Sequence, residues 1–169
     1  MTIHSSFPFP TEDDPVRRLR GRLGGTVSLW TSGTGDGRLE RAGLTVTSLM
    51  VANGSPARVV GLIDPDSDLA GQLASTGRVV VQLLGARHRA LAEAFAGTSP
   101  APGGPFTLGD FEQTDWGQRL LDAGTWLGAT VESTRELGWS LEVAATIDHV
   151  TVGDDDHPLF HHRARYTTL

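Results

Sequence analysis

The sequence predicts a mainly β protein, an antiparallel barrel with a few short helices. Three observations point there. Short strand-like runs are numerous, helical runs are few and short, and the two do not alternate as a doubly wound parallel sheet requires. The 169 residues suit one domain, and 21 glycines sit largely at the ends of the runs as turn residues.

Each element has a local reason. Residues 1–14 carry Pro, Ser and Thr and read as a flexible arm ahead of a domain over 15–169. Asp14 is a good N-cap, Pro15 suits the first helical position, and Gly24-Gly25 stops the helix. Val16, Leu19 and Leu23 give that helix one apolar face. "TVSLWTS" (26–32) alternates as a strand, and "GTGDG" (33–37) is turn chemistry. "ARVVGLID" (57–64) is a buried strand, "DPDSDLAGQLAS" opens a short helix near Asp66 or Ser67, and "RVVVQLLG" (78–85) is another strand. "RHRALAEAFAG" is a helix with Leu91 and Phe95 on one face and Gly97 as its stop. Residues 98–110 form a long Pro- and Gly-rich loop. "TWLGATVES", "GWSLEVAATIDHVTV" and "HPLFHHRARYTTL" are three strand-like runs, the last two joined by acidic "GDDDHP" as a hairpin loop. Trp30, Trp116, Trp126 and Trp139 read as core, and His88 and His149 as partly exposed.

Composition excludes several classes. Without cysteine there are no disulfides, thiolate metal sites or cysteine nucleophiles. A net charge of −6 is wrong for a nucleic-acid binder. No apolar run reaches the length of a membrane span and no secretory leader opens the chain, so a cytoplasmic protein is expected. There is no G-x-S-x-G nucleophile elbow. His157, His161 and His162 lie near three aspartates, but adjacent histidines on a strand face opposite ways, so no metal site is assigned.

Two stretches could carry chemistry. "RAGLTVTSL" (41–49) reads either as a half-buried strand using threonine's β-propensity or as a segment whose hydroxyls and amides face a ligand's polar edge. "IDPDSDLAG" (63–71) ends a strand and starts a helix, which is simple capping or an anion site. Asp64, Asp66 and Asp68 oppose a phosphate there, so a cation from Arg41, Arg58, Arg87 or Arg89 would have to compensate.

In their order, five segments from Val16 to Leu169 resemble the flavin reductase-like family with the FMN-binding split-barrel fold, a Greek-key antiparallel barrel. "GGTVSLWTS" looks like the first barrel strand and "GLTVTSL" like the Gly-x-Thr-x-Ser-Ser-type flavin loop. "SPARVVGLIDPDSDLA" resembles the second strand with its serine-bearing phosphate turn. "STGRVVVQLLGARHRALAEAFAG" matches the strand and helix that end in Phe-Ala-Gly, and "PLFHHRARYTTL" the closing strand.

The resemblance implies hydride transfer from NADH or NADPH to FMN or FAD in a homodimer, with the flavin retained or passed to a partner monooxygenase. Thr45, Val46, Thr47 and Ser48 would line the ring edge and ribityl chain, with Asn53 assisting. Asp64 and Ser67 would sit at the phosphate end, and Phe95 beside the flavin near the dimer seam. The reactants carry the chemistry, so no catalytic nucleophile or base is assigned. The protein has only to stack the two rings at roughly 3–3.5 Å and stabilise the charge that develops. Where the family carries Gly-Asp-His to hold the nicotinamide, this chain reads Gly138-Trp139-Ser140. Ser140 and His162, or His161, are the substitutes it offers. The missing histidine motivates a second reading, a flavin-binding module that does not use nicotinamide.

Overall fold

A computed structural model describes residues 14–169, so the expected N-terminal arm lies, Asp14 apart, outside the described residues. In chain order the elements are α1 (Pro15–Leu23), β1 (Gly25–Thr26), β2 (Ser28–Gly33), β3 (Arg41–Val46), β4 (Leu49–Ala52), β5 (Arg58–Ile63), α2 (Asp68–Thr76), β6 (Arg78–Leu83) and α3 (Arg89–Phe95). Then follow β7 (Phe111–Gln113), β8 (Gln118–Leu120), β9 (Trp126–Leu137), β10 (Ser140–Thr151), β11 (Leu159–His162) and β12 (Arg165–Thr168).

Every strand pairing is antiparallel. One seven-stranded sheet runs β3-β2-β6-β9-β10-β5-β4, a second runs β1-β11-β12, and β7-β8 form a separate pair. β3, at one edge of the large sheet, also touches β5 beside the other edge, so the sheet curls into a half-barrel. The mainly β, split-barrel expectation is met.

Alternation along β2 feeds two cores. Trp30 enters the cup of the large sheet with Val59, Ile63, Val81 and Val143, which α2 covers with Leu69 and Leu73. Val27 and Leu29 join Leu84, Leu91, Phe95, Leu120 and Leu159 on the other side. The buried polar residues Ser28, Thr31, Ser32, Gln82, His88 and Gln118 are all bonded, as burial demands. The Trp30 indole N–H donates to Ser28 Oγ at 3.1 Å, and that hydroxyl donates to the Val46 carbonyl at 2.7 Å. Gln82 Oε1 accepts the Leu120 N–H at 2.7 Å and ties β8 to the sheet.

The helix signals act locally as read. Asp14 accepts the Val16 N–H at 3.0 Å and Gly24 ends α1, while Ser67 caps α2 by accepting the Ala70 N–H at 3.2 Å. The apolar stripe of α1 departs from expectation. Val16, Leu19 and Leu23 are 70%, 61% and 75% exposed, and no residue of α1 is buried.

Other expectations need correction. The acidic segment 153–158 is not a hairpin loop, because β11 pairs with β1 and β12 and the segment crosses between sheets. The single closing strand is a hairpin, turning at Arg163 and Ala164 with φ of 50° and 61°. The long loop after α3 holds a 3-10 turn at Pro105–Leu108. Of the tryptophans, Trp30 is core, Trp116 and Trp126 are half-buried around His149, and Trp139 is exposed at the β9–β10 tip. His88 is buried: its Nδ1 accepts the Gly85 N–H at 2.9 Å and its Nε2 lies 2.9 Å from Asp122. Among the described residues, no helix is long and apolar enough to cross a membrane.

Candidate functional site

The outer face of β4, β5 and β10 forms the floor of a cleft of about 950 Å³. β5 points Val59, Gly61 and Ile63 into the core and turns Val60 and Leu62 outward. The register sets Met50 against Val60 and Glu142 against Leu62, so the floor is mostly apolar. α1 forms one wall, pinned to the β11–β12 turn by the Arg163 N–H donating to the Gly21 carbonyl at 2.9 Å. That wall presents Arg17, Arg18, Arg20 and Arg22. An apolar slot with a few convergent polar groups is the general form of a small-molecule site.

The segment 45–48 divides at the end of β3. The Thr45 hydroxyl donates to the Ala92 carbonyl at 2.7 Å, and Val46 is 3% exposed in the core. Thr47 and Ser48 line the cleft. Their hydroxyls and main-chain N–H groups have no hydrogen-bond partner among the described residues, while the Ser48 carbonyl accepts the Leu62 N–H at 2.9 Å. The stretch is thus strand as far as Val46, followed by unpartnered donors at an apolar cleft.

The remaining candidates lie elsewhere. Asn53 is exposed between β4 and β5. Asp64 and Ser67 satisfy their own turn: Asp64 Oδ1 accepts the Asp66 N–H at 2.8 Å, and the Ser67 hydroxyl donates to the Asp64 carbonyl at 2.7 Å. All four cations considered for that turn are engaged by carboxylates: Arg58 with Glu132 at 2.6 Å, Arg87 with Asp122 at 3.0 Å, Arg89 with Glu93 at 3.1 Å and Arg41 with Asp36 at 3.6 Å. Phe95 is buried in the second core, edge-on to Phe106 at 4.9 Å. Ser140 follows the two-residue turn Gly138–Trp139, whose first position is glycine because φ there is 59°. His162 does not line the cleft, whereas His161 does.

The structure therefore brings Thr47 and Ser48 together with His161, Glu142 and the α1 arginines. Burial, and then the charge of Arg20, hold the His161 pKa below its ordinary value, which favours a neutral ring. Arg135 holds Glu142 ionised through contacts of 2.8 and 3.1 Å. Sequence reasoning passed over the arginines, although four in six residues of an acidic chain were a visible signal.

A family model described as "Flavin reductase like domain" matches residues 20–169. The chain belongs to that family. This flavin reductase-like domain is 30% identical over 108 residues to the FMN reductase (NADH) RutF of Ancylobacter novellus, a match covering 64% of this chain and 58% of that relative. It superimposes on Streptomyces globisporus C-1027 NADH:FAD oxidoreductase SgcE6, solved with NAD and FAD fragments, with a TM-score of 0.81 at 18% identity, covering 98% of this chain and 97% of that one. It also matches the styrene monooxygenase flavin reductase SMOB of Pseudomonas putida S12, with a TM-score of 0.78 at 20% identity, covering 91% and 96%. These structural likenesses establish the fold.

Proposed function

We propose that this domain reduces FMN or FAD with NADH or NADPH, and that the flavin ring occupies the cleft beside Thr47 and Ser48. One observation carries the reading: free hydroxyl and amide donors at 47 and 48 border a mostly apolar floor. A flavin asks for both, a slot for its rings and donors for the polar edge that gains charge on reduction. When bound, the two nucleotides supply the hydride donor and acceptor. The chain's own part is to orient. Leu49, Met50, Val60 and Leu62 shed water from the floor, and Thr47 and Ser48 donate hydrogen bonds. His161 on β11 adds a further polar side chain to the lining. The family match and the names of the relatives support the same reaction.

A second copy of the chain covers the exposed apolar rim in this reading. Val16, Leu19 and Leu23 on α1, Met50 and Val51 on β4, and Trp139 on the β9–β10 tip are each more than half exposed, on the elements that border the cleft. Apolar patches of this kind mark interfaces. Leu19→Glu should then convert a dimer to a monomer in size-exclusion chromatography with light scattering. We place residues 15–169 together as the functional domain, in the cytoplasm. Its reduced flavin would be available to a monooxygenase partner, as the name of the styrene monooxygenase flavin reductase describes for that protein.

The test is oxidation of NADH and NADPH with and without added FMN and FAD. Flavin-dependent oxidation of either nucleotide supports the assignment. If every pairing is inert while flavin still binds, the second reading holds: a flavin-binding module lacking nicotinamide use. Ser140 in place of histidine is the observation that keeps it open.

A further inference from the structure

Resting on the flavin reading, we propose that α1 is a phosphate-recognising wall. Arg18, Arg20 and Arg22, with Arg163 of the adjoining turn, take the phosphate or pyrophosphate tail of the nucleotide whose ring lies on the cleft floor.

The charge distribution is the first argument. The chain carries −6 overall, yet one wall of its cleft is densely basic. Glu142, the acidic side chain of the lining, is already engaged by Arg135. Arg18, Arg20, Arg22 and Arg163 form no ion pair among the described residues. A cleft lined with one sign of charge focuses its field and draws in the opposite sign.

The helix supplies the second. Arg18 and Arg22 stand at i and i+4, where like charges repel and weaken an isolated helix. No residue of α1 is buried, so the arginines are not there to complete the core. A bound dianion would turn that repulsion into attraction, and guanidinium groups match phosphate oxygens in pairs.

The serine-bearing turn at 64–67 has three nearby carboxylates, an internally bonded hydroxyl and no unengaged cation among the four considered. The cleft volume, at the upper end of what small-molecule sites reach, leaves space for a tail beyond the ring system.

The experiment compares riboflavin, FMN and FAD, then NADH and NADPH, binding to wild type and to the combined variant Arg18→Gln, Arg20→Gln, Arg22→Gln. Glutamine keeps helix propensity close to that of arginine. Titrating wild type at low and high ionic strength repeats the test without any substitution, because exposed charges are screened by salt. FMN and FAD should weaken at least about tenfold in the variant, about 1.4 kcal/mol, while riboflavin stays within about twofold. Weakening confined to NADH or NADPH, with FMN and FAD bound as in wild type, overturns the wall as the flavin's tail site. Equal loss for riboflavin and FAD, or no change for any nucleotide, overturns it. If wild type binds no flavin at all, the flavin reading itself falls, and the wall falls with it.

Discussion

The indole of Trp30 lies so close beneath Gly61 that a Cβ at position 61 would come within 2.5 Å of the ring. Trp30 is fully buried and its N–H is fixed on Ser28, so the ring cannot withdraw freely. Gly61 in turn belongs to the strand whose outward side chains floor the cleft. Gly61→Ala therefore overpacks the core, at about 1–3 kcal/mol. Denaturant unfolding measures this directly, and unchanged stability would contradict the packing described.

Thr45 and Thr47 differ in kind although two residues apart. Thr45→Val removes the bond to the Ala92 carbonyl and should cost about 1 kcal/mol of stability. Flavin affinity should hold, since Thr45 does not line the cleft. Loss of affinity without loss of stability would place Thr45 in the site after all.

The β11–β12 turn is built from two residues poorly suited to it. Arg163 and Ala164 both hold positive φ, a conformation costing a non-glycine residue about 1–2 kcal/mol. Ala164→Gly should raise the melting temperature. A lower melting temperature would mean that the Ala164 methyl makes contacts outweighing the strain.

His161 gives the protein a pH dependence. Its native pKa is held down by burial and by Arg20, so the unfolded chain binds a proton first as pH falls through about 6.5. Below that point the unfolded state carries more protons, and stability declines until the native ring also titrates. His161→Phe should flatten the melting-temperature profile between about pH 7 and the native pKa. An identical slope in wild type and variant would remove His161 as its source.

What the sequence disclosed, and what it hid, follows from the range of the forces involved. Asp14, Pro15 and Gly24 mark α1 because capping is local. The fate of its apolar stripe is not local: Val16, Leu19 and Leu23 look like any core-facing set until the fold is seen to leave them outside. The β11–β12 hairpin was invisible because Arg163–Ala164 has none of the usual turn residues. The hydroxyl motif spans the end of β3, and only tertiary contacts decide which threonine meets Ala92 and which meets the cleft. Phe95 had the correct helix and face for its core. Which side of β3 that core occupies could not be read from spacing.

The most direct measurement is a fluorescence titration of FMN and FAD with wild type and with the double variant Thr47→Val, Ser48→Ala. If the donors at 47 and 48 hold the flavin edge, wild type quenches the flavin at micromolar protein, and the variant, melting at the wild-type temperature, binds at least about tenfold more weakly. Absence of quenching by wild type, or equal affinity in the variant, would contradict the account.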